Sequence, residues 1–173
     1  ELVLMDLGAE YHGYTADITR TIPANGTFSP EQKQIYNIVL QAQEEAMKIC
    51  KPGTTFAELT LVTKQVVNRG LKELGIIKNE NEQHLYYPHG CCHHIGLDVH
   101  DRGDYDKLKE NMVITIEPGI YIPDNADCDK KWWGIAVRIE DDFLITREGN
   151  EHLSASAPRR PEDIEATMKL PSP

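Results

Sequence analysis

No run of apolar residues in this chain approaches the roughly 20 needed to cross a bilayer, and no charged-then-apolar leader opens it. A soluble protein with no membrane partner is therefore expected. Basic residues are also in short supply, with 18 Lys and Arg against 28 Asp and Glu, a formal net charge of −10. Proteins that grip phosphate backbones carry basic patches, so nucleic acid is not an expected partner. Cysteine is sparse: Cys50, Cys91, Cys92 and Cys128 form no CxxC pair. That spacing excludes a zinc knuckle and, without a secretory context, a disulfide framework. Reduced thiols and a cytoplasmic location are the expectation. There is no internal repeat, and only the Pro-rich end is compositionally biased. Nor is there an initiator Met. The sequence opens at Glu1 directly in LVLMDLG, which reads as a piece of a longer chain.

What is present suits one globular domain with a single core, since 173 residues and 40% hydrophobic content are ordinary for that class. The segments ELVLMDLG and YHGYTADITRTI are rich in β-branched and aromatic residues and read as paired strands, placing Asp6 and Asp17 on neighbouring strands. Ser29, Pro30 and Gln32 spell a capping box with Pro in the first helical position. Ile35, Ile38, Val39, Ala42, Ala46 and Ile49 then recur at helical spacing, up to a stop at Pro52 and Gly53. Thr55 with Glu58 repeats the box and opens a second amphipathic helix that runs to Gly75. Both helices are expected on one face of a sheet. MVITIEPGIYI reads as a further strand and WGIAVRIEDDFLIT as another, with a turn near Glu140 to Asp142. Pro161 starts a short helix. The expected division is a core over residues 1–157 and a C-terminal helix and tail over 158–173.

Five residues carry the chemistry: Asp6, Asp17, His93, Glu117 and Glu140, each in a strand or at a strand end. A charge in an apolar strand must be exposed, paired or bound to a cation, because burying it alone costs several kcal/mol. Taken singly, Asp6 or Asp17 reads as a turn or surface residue. Together, four carboxylates and a neutral imidazole carry a charge that two divalent ions would neutralise. Oxygen-rich sets with one imidazole accept Mn, Fe, Co or Zn. His89, His93 and His100 are spaced by four and seven residues around Gly90 and Gly96, where backbone can approach a ligand. His94 reads as a packing residue. Pro118 stops its strand and would hold Glu117 at the end. Arg138 and Glu140 are two apart on one strand face, so Arg138 would orient a carboxylate ligand or make a plain surface ion pair.

These motifs together resemble the pita-bread metallopeptidases, the family of aminopeptidase P, prolidase and methionine aminopeptidase, over the later part of their catalytic domain. The resemblance implies an α+β fold, with a curved, mostly antiparallel sheet and helices on its outer face, incomplete at its N-terminus. MDLGAEYHGYTADITRT is similar to the family's two-aspartate hairpin, with Asp17 bridging two metals. HGCCHHIGLDVHD resembles its histidine signature, with His93 as ligand and His89 and His100 on the substrate side. TIEPGIY and VRIEDDFLIT resemble its glutamate segments, with Glu117 on one metal and Glu140 as a second bridge. The implied cofactor is two divalent ions, Mn²⁺ first, with Co²⁺, Zn²⁺ or Fe²⁺ as alternatives. The implied reaction is hydrolysis of the bond before proline by a metal-bridging hydroxide, with Glu117 as general base and then acid. His89 and His100 would contact the substrate carbonyl, while Tyr121 and Arg138 support the centre. Peptides with proline second are the implied substrates, and homo-oligomers the implied assembly of the full-length parent.

The tail LSASAPRRPEDIEATM is most similar to aminopeptidase P, with Xaa-Pro dipeptidase (prolidase) the alternative. Other readings are a non-catalytic binding module of the same fold, a metal-free hydrolase of the creatinase type, and an inactive fragment that self-associates. Cys92 departs from the family, whose members usually carry a small Ser or Gly before the ligand histidine.

Overall fold

The computed structural model describes residues 1–170. β1 (Leu2–Leu7) pairs antiparallel with β4 (Ile18–Pro23), in a register that sets Asp6 opposite Thr19. Between them lies a small hairpin of β2 (Glu10–Tyr11) and β3 (Tyr14–Thr15). Its two-residue turn, His12-Gly13, has positive φ at both positions, the arrangement whose twist matches the flanking strands. Gly8 is required where the chain enters this hairpin, because a Cβ there would collide with the carbonyl of Ala16. Asp17 does not sit on a strand. It occupies the last position before β4, where the hairpin rejoins the ladder and the side chain escapes the pleat.

Helix α1 (Pro30–Ile49) begins on the Ser29–Gln32 box, with both reciprocal bonds made. Its buried face, Ile35, Tyr36, Val39, Ala42, Gln43 and Ala46, packs on α2 (Phe56–Glu73), which starts on its own Thr55–Glu58 box. α1 also covers three strands, β5 (Val113–Ile116), β6 (Gly119–Tyr121) and β7 (Ala136–Arg138). Ile114, Ile116, Ile120, Val137 and Ile139 form the sheet side of this core, joined by Phe143 and Ile145 of β8 (Asp141–Ile145). β8 pairs with β5 and with β9 (Asn150–His152), and β6 with β7, all antiparallel. α3 (Pro161–Thr167) lies against α1.

Two of the expected strands are each two strands. The first breaks at Glu117-Pro118, where proline removes a donor; the second breaks at Ile139-Glu140, earlier than the expected turn at Glu140 to Asp142. The breaks let the sheet change direction and turn both glutamates off the ladder. Gln43 and Arg20 pair with polar groups buried around Asp141. The Gln43 amide donates to the Ile116 carbonyl at 3.1 Å and to Asp141 Oδ2 at 2.9 Å, and its oxygen accepts from Arg159 Nη1 at 2.9 Å. Arg20 Nη2 lies 2.6 Å from Asp141 Oδ1 and its Nη1 donates to the carbonyls of Thr19 and Glu140.

Candidate metal centre

The histidine segment is held to β5 by backbone bonds. The Thr115 N–H donates to the His93 carbonyl at 2.9 Å, and the Glu117 N–H to the Cys91 carbonyl at 2.7 Å. That pairing sets His93 beside Glu117. Nδ1 of His93 lies 3.0 Å from the His94 carbonyl, which, with the proton assigned to Nδ1, aims a lone pair on Nε2 into the cluster. From Nε2 it is 3.6 Å to Asp17 Oδ2, 3.6 Å to Glu117 Oε1 and 3.6 Å to Glu140 Oε1. Asp17, His93 and Glu140 are buried and offer donor atoms all within 4.8 Å of one another. Asp6 stands at the rim, half-exposed and paired with Arg138, outside the buried group of Asp17, His93 and Glu140.

Without a cation such a cluster must hold protons. Burial, then the charge of Glu140, pushes the carboxyls of Asp17 and Glu117 up to about 7. Burial alone would lower His93, but Glu140, the His94 carbonyl and Glu117 outweigh it and raise the imidazole to about 9. Buried carboxylates around one imidazole nitrogen are a donor set of the hard-ion type, so the residues present fit divalent cations.

A second layer of contacts fixes these side chains. Thr19, fully buried, donates from Oγ1 to Glu140 Oε2 at 2.6 Å and accepts from Arg138 Nε at 3.1 Å. Arg138 also donates to Asp6 Oδ2 at 2.6 Å and to Tyr121 Oη at 3.1 Å, and that hydroxyl lies 2.8 Å from His89 Nε2. His89 Nδ1 is 3.9 Å from Glu117 Oε2, and burial lowers its pKa, which keeps it neutral. His100 is exposed, with its ring edge-on to His93 at 4.3 Å between centroids. With Asp6, Asp17, Glu10 and Val99 it lines an open cleft of about 370 Å³. A larger depression of about 570 Å³, lined by Lys64, Asn68, His84 and Tyr87, shares no residue with the cluster. His94 packs between Phe56 and Tyr105, as a structural histidine.

Sequence reasoning passed over Thr19, Thr115 and Asp142. The Thr115 hydroxyl accepts from the His93 N–H at 3.3 Å, and Asp142 Oδ2 accepts from the Asp17 N–H at 3.1 Å. Only Thr19 left a signal, a hydroxyl two residues after Asp17 in the same motif.

Fold and cluster together define a pita-bread metallopeptidase domain. The chain belongs to metallopeptidase family M24, whose family model matches residues 1–147. It is 44% identical to the Xaa-Pro aminopeptidase of Escherichia coli over 97% of this chain and 41% of that protein. It is likewise 44% identical to the mitochondrial intermediate cleaving peptidase 55 of Arabidopsis thaliana over 97% of this chain and 35% of that protein. Among solved structures, proline aminopeptidase P II from Yersinia pestis superposes with a TM-score of 0.93 at 44% identity, over 96% of this chain and 41% of that one. A zinc-substituted E. coli aminopeptidase P in complex with product gives the same values. The chain therefore spans about two fifths of the length of these relatives.

Proposed function

We propose that this chain carries the metal-binding part of a Xaa-Pro aminopeptidase, a hydrolase that releases the N-terminal residue from peptides with proline in second position. The observation that carries the reading is the convergence of Asp17, Glu117 and Glu140 on His93 Nε2. The relatives' names support aminopeptidase over prolidase. Asp6, Asp17, His93, Glu117 and Glu140 would hold two divalent ions; manganese is the proposed ion. When bound, the ions supply positive charge that polarises the peptide carbonyl and acidifies water.

The protein's own groups do the rest. Glu117 takes a proton from the attacking water and returns it to the leaving proline nitrogen. His89 and His100 hydrogen-bond the substrate carbonyl and the oxyanion it becomes. Tyr121 positions His89, and Arg138 positions both Tyr121 and Asp6. A cytoplasmic location, a homo-oligomeric parent, and a core over residues 1–157 with a helix and tail over 158–173 belong to the same proposal.

The test compares this chain with a version extended to the relatives' length, measuring metal content by elemental analysis and turnover of a Xaa-Pro-Xaa tripeptide and a Xaa-Pro dipeptide. Two metals per chain and cleavage of the tripeptide are expected of the extended protein. Glu117→Gln should lower its turnover by about 10²–10⁴-fold while leaving it folded. No metal and no turnover would replace the peptidase reading with a non-catalytic binding module.

A further inference from the structure

Cys91 and Cys92 take no part in this chemistry, yet they immediately precede His93. We propose that they form a redox-modifiable vicinal dithiol, whose closure to a disulfide loosens the hold on Glu117 and His93. Only the consequence for cation binding rests on the metal-centre reading above. The two Sγ atoms lie 3.5 Å apart. Cys91 is fully buried, and its Sγ and N–H both meet Thr60 Oγ1, at 3.6 and 3.5 Å. Cys92 is half-buried and helps line an open surface cleft of about 440 Å³, together with Phe56, Ala57, Thr60, Leu61 and Tyr105. A small oxidant can therefore reach one thiol while the other waits beside it.

The oxidant class is a hydroperoxide, ROOH. The Cys92 sulfur attacks the terminal peroxide oxygen and becomes a sulfenic acid, and ROH leaves. The Cys91 sulfur then attacks the Cys92 sulfur, forming the S–S bond and expelling water. In sum two thiols lose two hydrogens and ROOH is reduced to ROH and water. Adjacent Cα atoms stand about 3.8 Å apart, closer than the usual span of about 4.4–6.8 Å across a disulfide, so the closed ring is strained and thiols reopen it readily.

The backbone gives this closure its effect. The peptide inside the new ring is the one that carries the Cys91 carbonyl, the acceptor for the Glu117 N–H at 2.7 Å. The next N–H, that of His93, donates to Thr115 Oγ1 at 3.3 Å. Turning the 91–92 peptide to bring the sulfurs from 3.5 Å to bonding distance pulls on both attachments at once.

Hydrogen peroxide at near-stoichiometric dose on the reduced, purified chain tests this. The expected result is a mass loss of about 2 Da, reversed by dithiothreitol, with the link mapped inside the Cys91–Cys92 pair. Amide exchange at Glu117 should become about 3–10-fold faster, the equivalent of one backbone hydrogen bond, and Cys92→Ser should abolish both changes. A mass gain of about 16 or 32 Da without closure, or a link to Cys50, would overturn the proposal. So would closure that leaves Glu117 exchange unchanged. Calorimetric Mn²⁺ titration of both forms should show weaker binding after oxidation; if the reduced form binds none, the metal-centre reading fails, while exchange at Glu117 still decides this one.

Discussion

Replacing Thr19 with Val removes one hydroxyl from beneath the proposed metal centre and leaves the side chain's shape nearly unchanged. That hydroxyl gives Glu140 a 2.6 Å hydrogen bond and receives one from Arg138 at 3.1 Å, in a position with no solvent exposure. A hydrogen bond to a charged group contributes about 1.5–3 kcal/mol. Without that bond Glu140 is free to turn away from the position a cation requires, so the loss falls mostly on the bound state and should weaken cation binding by about 10–150-fold. Calorimetric titration with Mn²⁺ measures this directly, beside Thr19→Ser, which keeps the hydroxyl and should bind nearly as the parent does. If Thr19→Val folds and binds Mn²⁺ as tightly as the parent, the idea that this hydroxyl orients Glu140 is wrong.

Three other perturbations probe different parts of the same assembly. Arg20→Met removes the guanidinium that lies 2.6 Å from the buried Asp141 carboxylate, leaving it only Gln43, Ser154 and His152, and should cost about 3–5 kcal/mol, a melting decrease of roughly 6–20 °C; adding Asp141→Leu should recover much of it. Melting curves of both variants decide this. Gly119→Ala drives a Cβ into the Tyr121 hydroxyl and so displaces it from His89 and Arg138; turnover in the extended protein should fall about 10²-fold with little change in melting. The metal-free chain should lose stability as pH rises. Asp17 and Glu117 titrate near 7 when folded against 3.8 and 4.5 otherwise, and His93 near 9 against 6.5. All three bind protons more tightly in the folded state, so their contribution is full below the unfolded values and is lost as pH climbs through 7 and then 9. Saturating Mn²⁺ should reverse that slope between about pH 6 and 8, since binding requires deprotonated ligands, and thermal melts with and without metal would expose a wrong sign.

Local signals were legible wherever the physics is local. Both capping boxes, Pro30 in the first helical turn and the buried stripe of α1 are where periodicity and cap chemistry put them. Pro118 breaks its strand for the same local reason, a missing N–H. The acidic residues and histidines announced themselves because charged groups at intervals in apolar strands need partners. The turn expected near Glu140 to Asp142 falls slightly earlier, at Ile139-Glu140, where the Glu140 carbonyl accepts from Arg20 and the Glu140 N–H donates to the Thr19 carbonyl, contacts that no local pattern announces. Nothing local singles out Arg20, whose guanidinium is satisfied by carbonyls from Thr19, Glu140, Ala157 and Pro158.

Local cues along the chain settle where the helices start and stop, the family, and the set of groups able to carry metal chemistry. Which atoms meet is settled by folding. Thr19 touches Glu140 and Arg138 across more than a hundred residues of chain, and Gln43 in α1 closes the seam between Ile116 and Asp141. The physical reason is that hydrogen bonds act over about 3 Å in space and have no dependence on separation along the chain. Threonine and glutamine carry no charge to advertise the need for a partner, so their roles appear only once folding has brought the acceptors to them.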